Sequence, residues 1–248
     1  MRVLIGCEFS GTVRDAFRNA GHHAVSCDLL PTEKPGIHYQ GDVRNLLGGW
    51  EPVQFAGNCL GCDLNEYPCQ VSNNDPDECQ CIWSTQSNIE YQEIDGIMLG
   101  RPIDRPHWDL MICHPPCTYL SSSGLHWNKR IAGREKLTED ALEFVKVLLN
   151  APIKKIALEN PIGRISTAIR KPDQIIQPWM FGEDASKQTC LWLKGLPKLE
   201  PTNIIKKTRY ANQTPSGQNN LGPSKDRWKI RSLTYSGIAK AMADQWGQ

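Results

Sequence analysis

The sequence predicts an α/β protein with a doubly wound sheet, and two patterns along the chain carry this prediction. Near the N-terminus, an apolar strand at 2–7 is followed by a glycine turn, a helix at 12–20 and a second strand at 24–27. Further along, the short apolar segments 108–113 and 153–158 are typical of buried strands. Alternating strands and helices favour β-α-β units, in which ligands bind beyond the carboxyl ends of the strands.

The first of these units also indicates a nucleotide-binding site. Its helix has Val13, Ala16 and Phe17 on one face, and Asp28 directly follows its second strand. The glycine turn is poorer than a G-x-G-x-x-G loop, so alone it also fits an ordinary strand-to-helix connection. Asp28 strengthens the nucleotide interpretation, because a carboxylate at that point could accept hydrogen bonds from both hydroxyls of a ribose.

The composition favours one large domain, or one domain with a small module. The chain has 248 residues, 40% of them hydrophobic, and a formal net charge of +1. This charge excludes a global basic field, so nucleic-acid contacts would depend on local patches. The sequence contains no apolar run of the roughly 18 residues that span a bilayer and no secretory signal pattern. We therefore expect a cytoplasmic protein without membrane partners.

Half of the ten cysteines fall in one apolar-poor segment, residues 48–105, which separates residues 1–47 from residues 106–248. In a cytosolic protein such a cluster favours metal binding over disulfides. Cys59 and Cys62 have the C-x-x-C spacing with which two thiolates bind one zinc ion. The predicted four-thiolate zinc site consists of Cys59, Cys62, Cys69 and Cys79, with Cys81 as a spare. The alternative is a set of reduced cysteines in a loop.

A cysteine and a glutamate each follow one of the later strands. Cys117 ends a His-Pro-Pro-Cys sequence at 114–117, in which each proline fixes its own φ and extends the residue before it. The loop is therefore stiff and would present the thiol to a substrate. The later strand, at 153–158, leads into Glu159, Asn160 and Pro161. A positioned thiol and a positioned carboxylate indicate covalent catalysis with an acid partner.

Taken with the N-terminal unit, these segments resemble the DNA cytosine-C5 methyltransferases, and most of all the small methyltransferase-like proteins of phages and prophages. That family has a Pro-Cys nucleophile loop and a Glu-Asn pair at the end of a later strand. The resemblance covers residues 1–46 and 106–170. It implies a Rossmann-like class I methyltransferase sheet, S-adenosylmethionine as cofactor, and a bacterial or phage-infected cell as location. An Asp-Pro-Pro-Tyr sequence would instead indicate methylation of an exocyclic nitrogen, whereas Cys117 favours attack on a ring carbon.

The resemblance also implies a role for each site residue. Cys117 would add to C6 of cytosine, and Glu159, in its protonated form, would hydrogen-bond N3, while Asn160 would brace the loop. The alternative for Glu159 is a capping or ion-paired carboxylate. Asp28 would bind the ribose, and Asp42 would face the adenine amino group or else cap the segment that follows it. The full cofactor set implied by the resemblance is Cys7, Glu8, Phe9, Ser10, Gly11, Asp28, Leu29, Asp42, Val43 and Pro115.

The substrate stays open at this point, because the sequence departs from the family in several places. Thr118 stands where glutamine is usual, Pro161 stands where valine is usual, and no large target-recognition domain fits in the chain. The first hypothesis is methylation of cytosine in DNA. The second is the same chemistry on a free cytosine nucleotide or on single-stranded nucleic acid. The third is a non-catalytic, zinc-bearing nucleic-acid-binding protein on a methyltransferase scaffold.

The C-terminal part of the chain adds one basic and aromatic segment, at 202–231. Seven lysines or arginines alternate there with polar residues and with Tyr210 and Trp228, which suits phosphate contacts and base stacking or, equally, a solvated loop. The basic residues are Lys206, Lys207, Arg209, Lys225, Arg227, Lys229 and Arg231. Beyond this segment, apolar spacing predicts a helix at 232–246. Earlier in the chain, Thr138 is expected to cap a helix that ends near residue 150.

Overall fold

The computed structural model describes residues 1–53 and 89–248 of the chain. The strands are β1 (Arg2–Gly6), β2 (His23–Asp28), β3 (His38–Gln40), β4 (Glu51–Pro52), β5 (Ile89–Ile94), β6 (Ile97–Pro102), β7 (Leu110–Cys113), β8 (Lys155–Asn160), β9 (Gln174–Ile176) and β10 (Thr189–Lys194). The helices are α1 (Thr12–Asn19), α2 (Ser122–Leu125), α3 (Arg134–Leu149), α4 (Ile165–Ala168), α5 (Arg227–Ser232) and α6 (Ser236–Trp246). Short 3₁₀ turns lie at Val43–Leu46 and Pro178–Met180.

Seven of these strands form one mostly parallel sheet, in the order β3-β2-β1-β7-β8-β10-β9. The neighbours from β3 to β8 are parallel, and β10 is antiparallel to both β8 and β9. The strand order reverses between β1 and β7, and a crevice at such a switch point is where open α/β sheets bind ligands. The predicted α/β fold is thus confirmed.

Helices cover both faces of this sheet, as the alternation of buried side chains along β1 requires. Leu4 belongs to a core cluster that includes Leu142, Val145 and Leu148 of α3. Val3 and Ile5 point to the other face and belong to a cluster with side chains of α1 and α6. Buried on both faces, the central strands read as continuous apolar runs, which is why their positions were predictable.

Two helix predictions are wrong at their N-terminal ends. The helix predicted to begin at Thr138 begins at Arg134, after Gly133 in the left-handed conformation (φ 78°). Thr138 is buried inside the helix, where its hydroxyl accepts a hydrogen bond from Asn128 and donates to a carbonyl one turn earlier. The helix predicted at 232–246 begins only at Ser236, because residues 233–235 separate it from α5.

The predicted zinc ligands Cys59, Cys62, Cys69 and Cys79, and the spare Cys81, lie outside the described residues. The adjoining strands β4, β6 and β5 form a small antiparallel sheet in that order. Within residues 1–53 and 89–248, no group of three or more His, Cys, Asp or Glu side chains could hold a metal ion. The zinc site therefore stays a prediction from the sequence. In the same two ranges, no helix is both long and apolar enough to cross a membrane.

A buried ionic cluster ties the small sheet to the large one. Glu51, on β4, is 1% exposed and accepts a hydrogen bond from Arg2 at 3.0 Å, while its second oxygen contacts His23. Arg2 also donates to the carbonyl of Gly49 at 2.7 Å and lies over the Trp108 ring. Removing one partner from a buried pair leaves the other charge uncompensated, which is strongly destabilising.

We therefore expect Glu51→Ala to lower the free energy of unfolding by about 3 kcal/mol, because it leaves Arg2 buried without its counter-charge. Urea denaturation of the purified protein measures this difference. Glu90→Ala is the matched control, since Glu90 pairs with Arg101 on the same small sheet but is about half exposed, and it should cost less than about 1 kcal/mol. Equal losses in the two variants would contradict a structural role for the cluster.

Candidate active site

The turn after β1 forms one wall of the crevice at the switch point. Cys7 has a left-handed backbone (φ 57°), which is unusual for a residue with a side chain, and Gly11 is also left-handed (φ 70°). Cys7, Glu8, Phe9 and Ser10 line a cleft together with His114 and residues 232–234. Strained backbone of this kind persists where the surrounding structure fixes it, and it is common at ligand sites. Hereafter this space is called the switch-point cleft.

Glu8 has a structural role that sequence analysis did not predict. Its carboxylate accepts hydrogen bonds from the backbone N–H of Val13 at 2.6 Å and of Arg14 at 3.3 Å, and from the Ser10 hydroxyl at 3.1 Å. A buried carboxylate here satisfies free N–H groups of the first turn of α1 and complements the helix dipole. The Glu8 carboxylate therefore holds the turn at 7–10 in place, and this role does not depend on whether the Glu8 backbone contacts a ligand.

The other predicted cofactor residues lie along the ends of β2 and β3. Asp28, the last residue of β2, accepts a hydrogen bond from the Leu30 N–H at 2.9 Å. Burial raises the pKa of the Asp28 carboxyl, and nearby backbone N–H groups and the imidazoles of His38 and His114 offset part of this effect. Leu29, beside it, is 73% exposed.

Asp42 adopts the capping arrangement that sequence analysis left open. Its carboxylate accepts the Arg44 N–H at 2.9 Å, at the start of a 3₁₀ turn, and forms an ion pair with the Arg44 side chain. The hydrogen bond from the Arg44 side chain holds the pKa of Asp42 below its ordinary value. Val43 is buried, and a Cβ added to Gly6 would approach its Cγ2 to 2.9 Å. Val43 thus packs closely against the backbone at Gly6, where the turn begins.

The nucleophile loop is held by hydrogen bonds from both sides. The His114 N–H donates to the Gly6 carbonyl at 2.9 Å, which continues the pairing of β7 with β1. The Asn160 side chain is buried and donates from Nδ2 to the Pro115 carbonyl at 2.7 Å. Cys117 itself is exposed. The thiol is accordingly presented at the surface by a loop with a fixed backbone.

The geometry changes the expected protonation state of Glu159. His114 donates from Nδ1 to Oε2 of Glu159 at 3.0 Å, and both side chains are largely buried. Burial alone raises the pKa of this carboxyl. The hydrogen bond from His114, the charge of Lys187 and a hydrogen bond from Thr189 outweigh it, so the net pKa lies below its ordinary value. In the free protein Glu159 is therefore ionised, whereas the sequence interpretation gave it a proton.

The Cys117 thiol is protonated in the resting site. Desolvation and the negative charge of Glu159 raise its pKa, and the cations of Lys187 and Arg231 offset only part of this increase. Burial also raises the pKa of Cys7, Cys27 and Cys113. These three thiols therefore stay protonated, while Cys117 is exposed and needs only the loss of a proton to become a nucleophile.

Sequence analysis missed His114 and Lys187. The lysine Nζ donates to the backbone carbonyls of Arg231 at 3.0 Å and Leu233 at 3.5 Å, so it holds residues 231–233 beside Glu159 and Cys117. Lys187 lies in a stretch without periodicity, and no signal in the sequence could have identified it. His114 directly precedes the two prolines of the nucleophile loop, and that position was the available signal.

The basic segment at 202–231 is brought only partly to the site. Trp228 lies 6.4 Å from the Phe9 ring (centroid to centroid), and Lys229 lies over the same ring and pairs with Glu33 at 2.7 Å. Arg231 is close enough to influence Cys117. Farther away, Lys207 pairs with Asp184. Helix α5 therefore lies beside the switch-point cleft, next to Phe9, and phosphate contacts by this segment stay a prediction.

Comparisons with known proteins add little to this geometry. No family model matches the chain, and no curated protein matches it. One solved structure that matches is an E. coli protein described as a candidate DNA modification methyltransferase encoded within a prophage. The two chains are 12% identical, with a TM-score of 0.41, over 83% of this chain and 52% of the other. This chain thus spans about half the length of that neighbour, and a likeness of this size does not establish a shared activity.

The charges around Cys117 predict opposite effects of two substitutions on its reactivity. Glu159→Gln should speed alkylation of Cys117 by iodoacetamide near pH 8 by roughly threefold or more, because the carboxylate that disfavours the thiolate is gone. Arg231→Gln should slow alkylation, because it removes a stabilising cation. Mass spectrometry of the Cys117 peptide gives the rates. Arg209→Gln is the control, and changes of the same sign in all three variants would contradict the charge assignment.

Proposed function

We propose that this protein transfers a methyl group from S-adenosylmethionine to C5 of cytosine through a covalent Cys117 adduct. The observation that carries the proposal is the convergence of Cys117 and Glu159 at the carboxyl ends of adjacent parallel strands, beside the switch-point cleft. Asn160 connects the two strand ends through its hydrogen bond to the Pro115 carbonyl. A nucleophile, an acid and a ligand cleft at one edge of a sheet are the parts that this reaction needs.

The residues around the cleft fit the proposed cofactor. The Asp28 carboxylate lies at the end of β2, where hydroxyl groups of a ribose could donate to it. The turn at 7–10 and residues 232–234 line the cleft together with His114. When bound, S-adenosylmethionine supplies an electrophilic methyl group. The protein's own residues bind it, exclude water and activate the base that accepts the methyl group.

In the proposed reaction, the Cys117 thiolate adds to C6 of cytosine. The electron pair of the C5–C6 double bond moves toward C5 and N3, and Glu159 donates a proton to N3. C5 then takes the methyl group as the bond between that group and the sulfonium sulfur breaks, which leaves S-adenosylhomocysteine. C5 later loses its hydrogen as a proton to water, and N3 returns its proton to Glu159. The bond between Sγ and C6 breaks, which releases the thiolate and restores the ring. General acid catalysis of this kind contributes about 10²- to 10⁴-fold to a rate.

The substrate that we propose is cytosine in a nucleic acid. Arg231 and Lys187 supply positive charge beside Cys117. Downstream of the loop that carries Cys117, the Trp127 side chain is 42% exposed, and the Arg130 guanidinium lies over its ring. Exposed aromatic and cationic groups suit base stacking and phosphate contacts. The small size of the chain and its net charge of +1 favour single-stranded nucleic acid or a free nucleotide as the alternative. In duplex DNA the base would have to be flipped out.

Cys117→Ser should abolish methyl transfer and the covalent complex with a 5-fluorocytosine substrate, because an adduct with fluorine at C5 cannot eliminate. The trap is offered in duplex DNA, in single-stranded DNA and as a nucleotide, each with S-adenosylmethionine, and denaturing electrophoresis or mass spectrometry detects the adduct. Cys190→Ser is the control, since Cys190 is a buried residue of β10. Wild-type turnover without any adduct would contradict the mechanism, and the substrate that traps best identifies the class.

Glu159→Gln should reduce the rate of methyl transfer by about 10²-fold or more, because glutamine keeps the shape but cannot give a proton to N3. The measurement is single-turnover transfer of a labelled methyl group. The variant should still bind the cofactor, because the glutamine oxygen can accept the same hydrogen bond from His114. Turnover close to that of the wild type would leave Glu159 with a structural role only.

Asp28→Ala should weaken binding of S-adenosylmethionine by roughly 1.5 to 3 kcal/mol, the range for lost hydrogen bonds to a charged group. Calorimetry without nucleic acid measures the affinity. Asp15→Ala is the control, because Asp15 is on α1 and pairs with Arg14. Unchanged affinity in Asp28→Ala would show that the first strand-turn-helix unit does not bind this cofactor.

A further inference from the structure

His114 has one ring nitrogen that the rest of the described chain does not use. Its side chain is 7% exposed, and Nδ1 donates to Glu159 at 3.0 Å. Nε2 is fully buried and has no hydrogen-bond partner in residues 1–53 and 89–248. Buried polar atoms in folded proteins are nearly always paired, so an exception at the edge of a cleft points to a ligand.

The position of His114 identifies the side from which that ligand comes. The residue lines the switch-point cleft with Cys7, Phe9 and Ser10. It is also close enough to Asp28 for their electrostatic interaction to lower the pKa of that carboxyl. The other ring nitrogen, Nδ1, is hydrogen-bonded to Glu159. His114 therefore lies between the catalytic carboxylate and the cofactor side of the cleft.

The contact with Glu159 also sets what Nε2 can do. In its neutral form the imidazole carries one proton, and the carboxylate keeps that proton on Nδ1, as a second partner does for many ligand-binding histidines. Nε2 then presents a lone pair and accepts a hydrogen bond. In the proposed site, Asp28 would bind the ribose hydroxyls and the end of β3 would face the adenine amino group. The donor left for Nε2 is the α-ammonium group of the methionine part.

We propose that His114 is a cofactor-binding residue whose Nε2 accepts a hydrogen bond from the α-ammonium group, with its tautomer fixed by Glu159. This inference rests on the proposed function and deepens it. It makes cofactor affinity depend on Glu159, although that carboxylate lies on the substrate side. The same histidine thus joins the two halves of the site.

Two substitutions separate the two ring nitrogens. His114→Asn keeps a donor near Nδ1 but loses Nε2, and it should weaken binding of S-adenosylhomocysteine by about 10-fold or more, the value for a lost hydrogen bond to a charged group. His114→Gln places an oxygen near Nε2 and should retain most of the affinity. The probe carries the α-ammonium group and cannot react, so calorimetry without nucleic acid reports binding alone.

A second probe excludes a general disturbance of the cleft. 5′-Methylthioadenosine lacks the amino-acid part, so its affinity should be the same in His114→Asn and in the wild type. Equal losses for both probes would show that His114 only supports the fold. In the wild-type background, Glu159→Ala should weaken S-adenosylhomocysteine binding, because the proton of the His114 ring is then no longer kept on Nδ1. In the His114→Asn background, Glu159→Ala should have no such effect. Additive losses in the double variant would overturn the proposed coupling.

The outcomes for Asp28 distinguish this inference from the function on which it rests. If Asp28→Ala weakens S-adenosylhomocysteine binding while His114→Asn does not, the cofactor site stands and the inference about His114 is wrong. If the wild-type protein does not bind S-adenosylhomocysteine, both are wrong. Loss in both single variants, with affinity retained in His114→Gln, is the expected result.

Discussion

The parallel pairing of β7 with β1 and β8 is the constraint on which the site depends. In this register Cys113 is paired with Gly6 on one side and with Leu158 on the other, so β1 and β7 end at one level and β8 continues to Asn160. Beyond this level the chain continues into the turn at 7–10, the loop that carries Cys117, and Glu159. A side chain at Gly6 would come within 3.2 Å of the Cys113 sulfur, which shows how closely these ends approach. Glycine there is a packing requirement of the site.

In the resting site, the proton lies on the Cys117 thiol and Glu159 is ionised, which is the reverse of what the proposed reaction needs. Burial and Glu159 keep the Cys117 thiol protonated, while His114 and Lys187 keep Glu159 ionised. The form that the proposed reaction needs, a thiolate beside a protonated carboxyl, has the same total number of protons. Moving one proton from sulfur to the carboxyl leaves the net charge of the pair unchanged. Binding of the base therefore has to redistribute a proton, rather than import one from solvent, before the ring is attacked.

The sequence predicted the fold where periodicity and packing agree, and it failed where they do not. The strands around Val3 and Leu158 were predictable because sheets buried on both faces need continuous apolar runs. The start of α3 was missed, because Thr138 has the type of a capping residue but is buried by tertiary packing within the helix. Capping preferences are local, and the surrounding fold can override them.

For the site, the sequence could identify residues by their place after strands, as with Cys117 and Glu159, but not by their partners. That Glu8 caps a helix depends on how the turn folds back on α1, which no spacing rule encodes. The hydrogen bond between His114 and Glu159 joins residues 45 positions apart. Long-range hydrogen bonds of this kind set protonation states, so the chemistry of the pair could not be predicted even though its members could.

Lys187 shows how such a long-range contact connects the two sides of the cleft. Its ammonium group holds the backbone at Arg231 and Leu233, which covers the cofactor side, and its charge lowers the pKa of both Glu159 and Cys117. A movement of residues 231–233 that breaks these hydrogen bonds also changes the electric field at the thiol. The position of residues 231–233 and the electrostatic environment of Cys117 are therefore linked through one side chain.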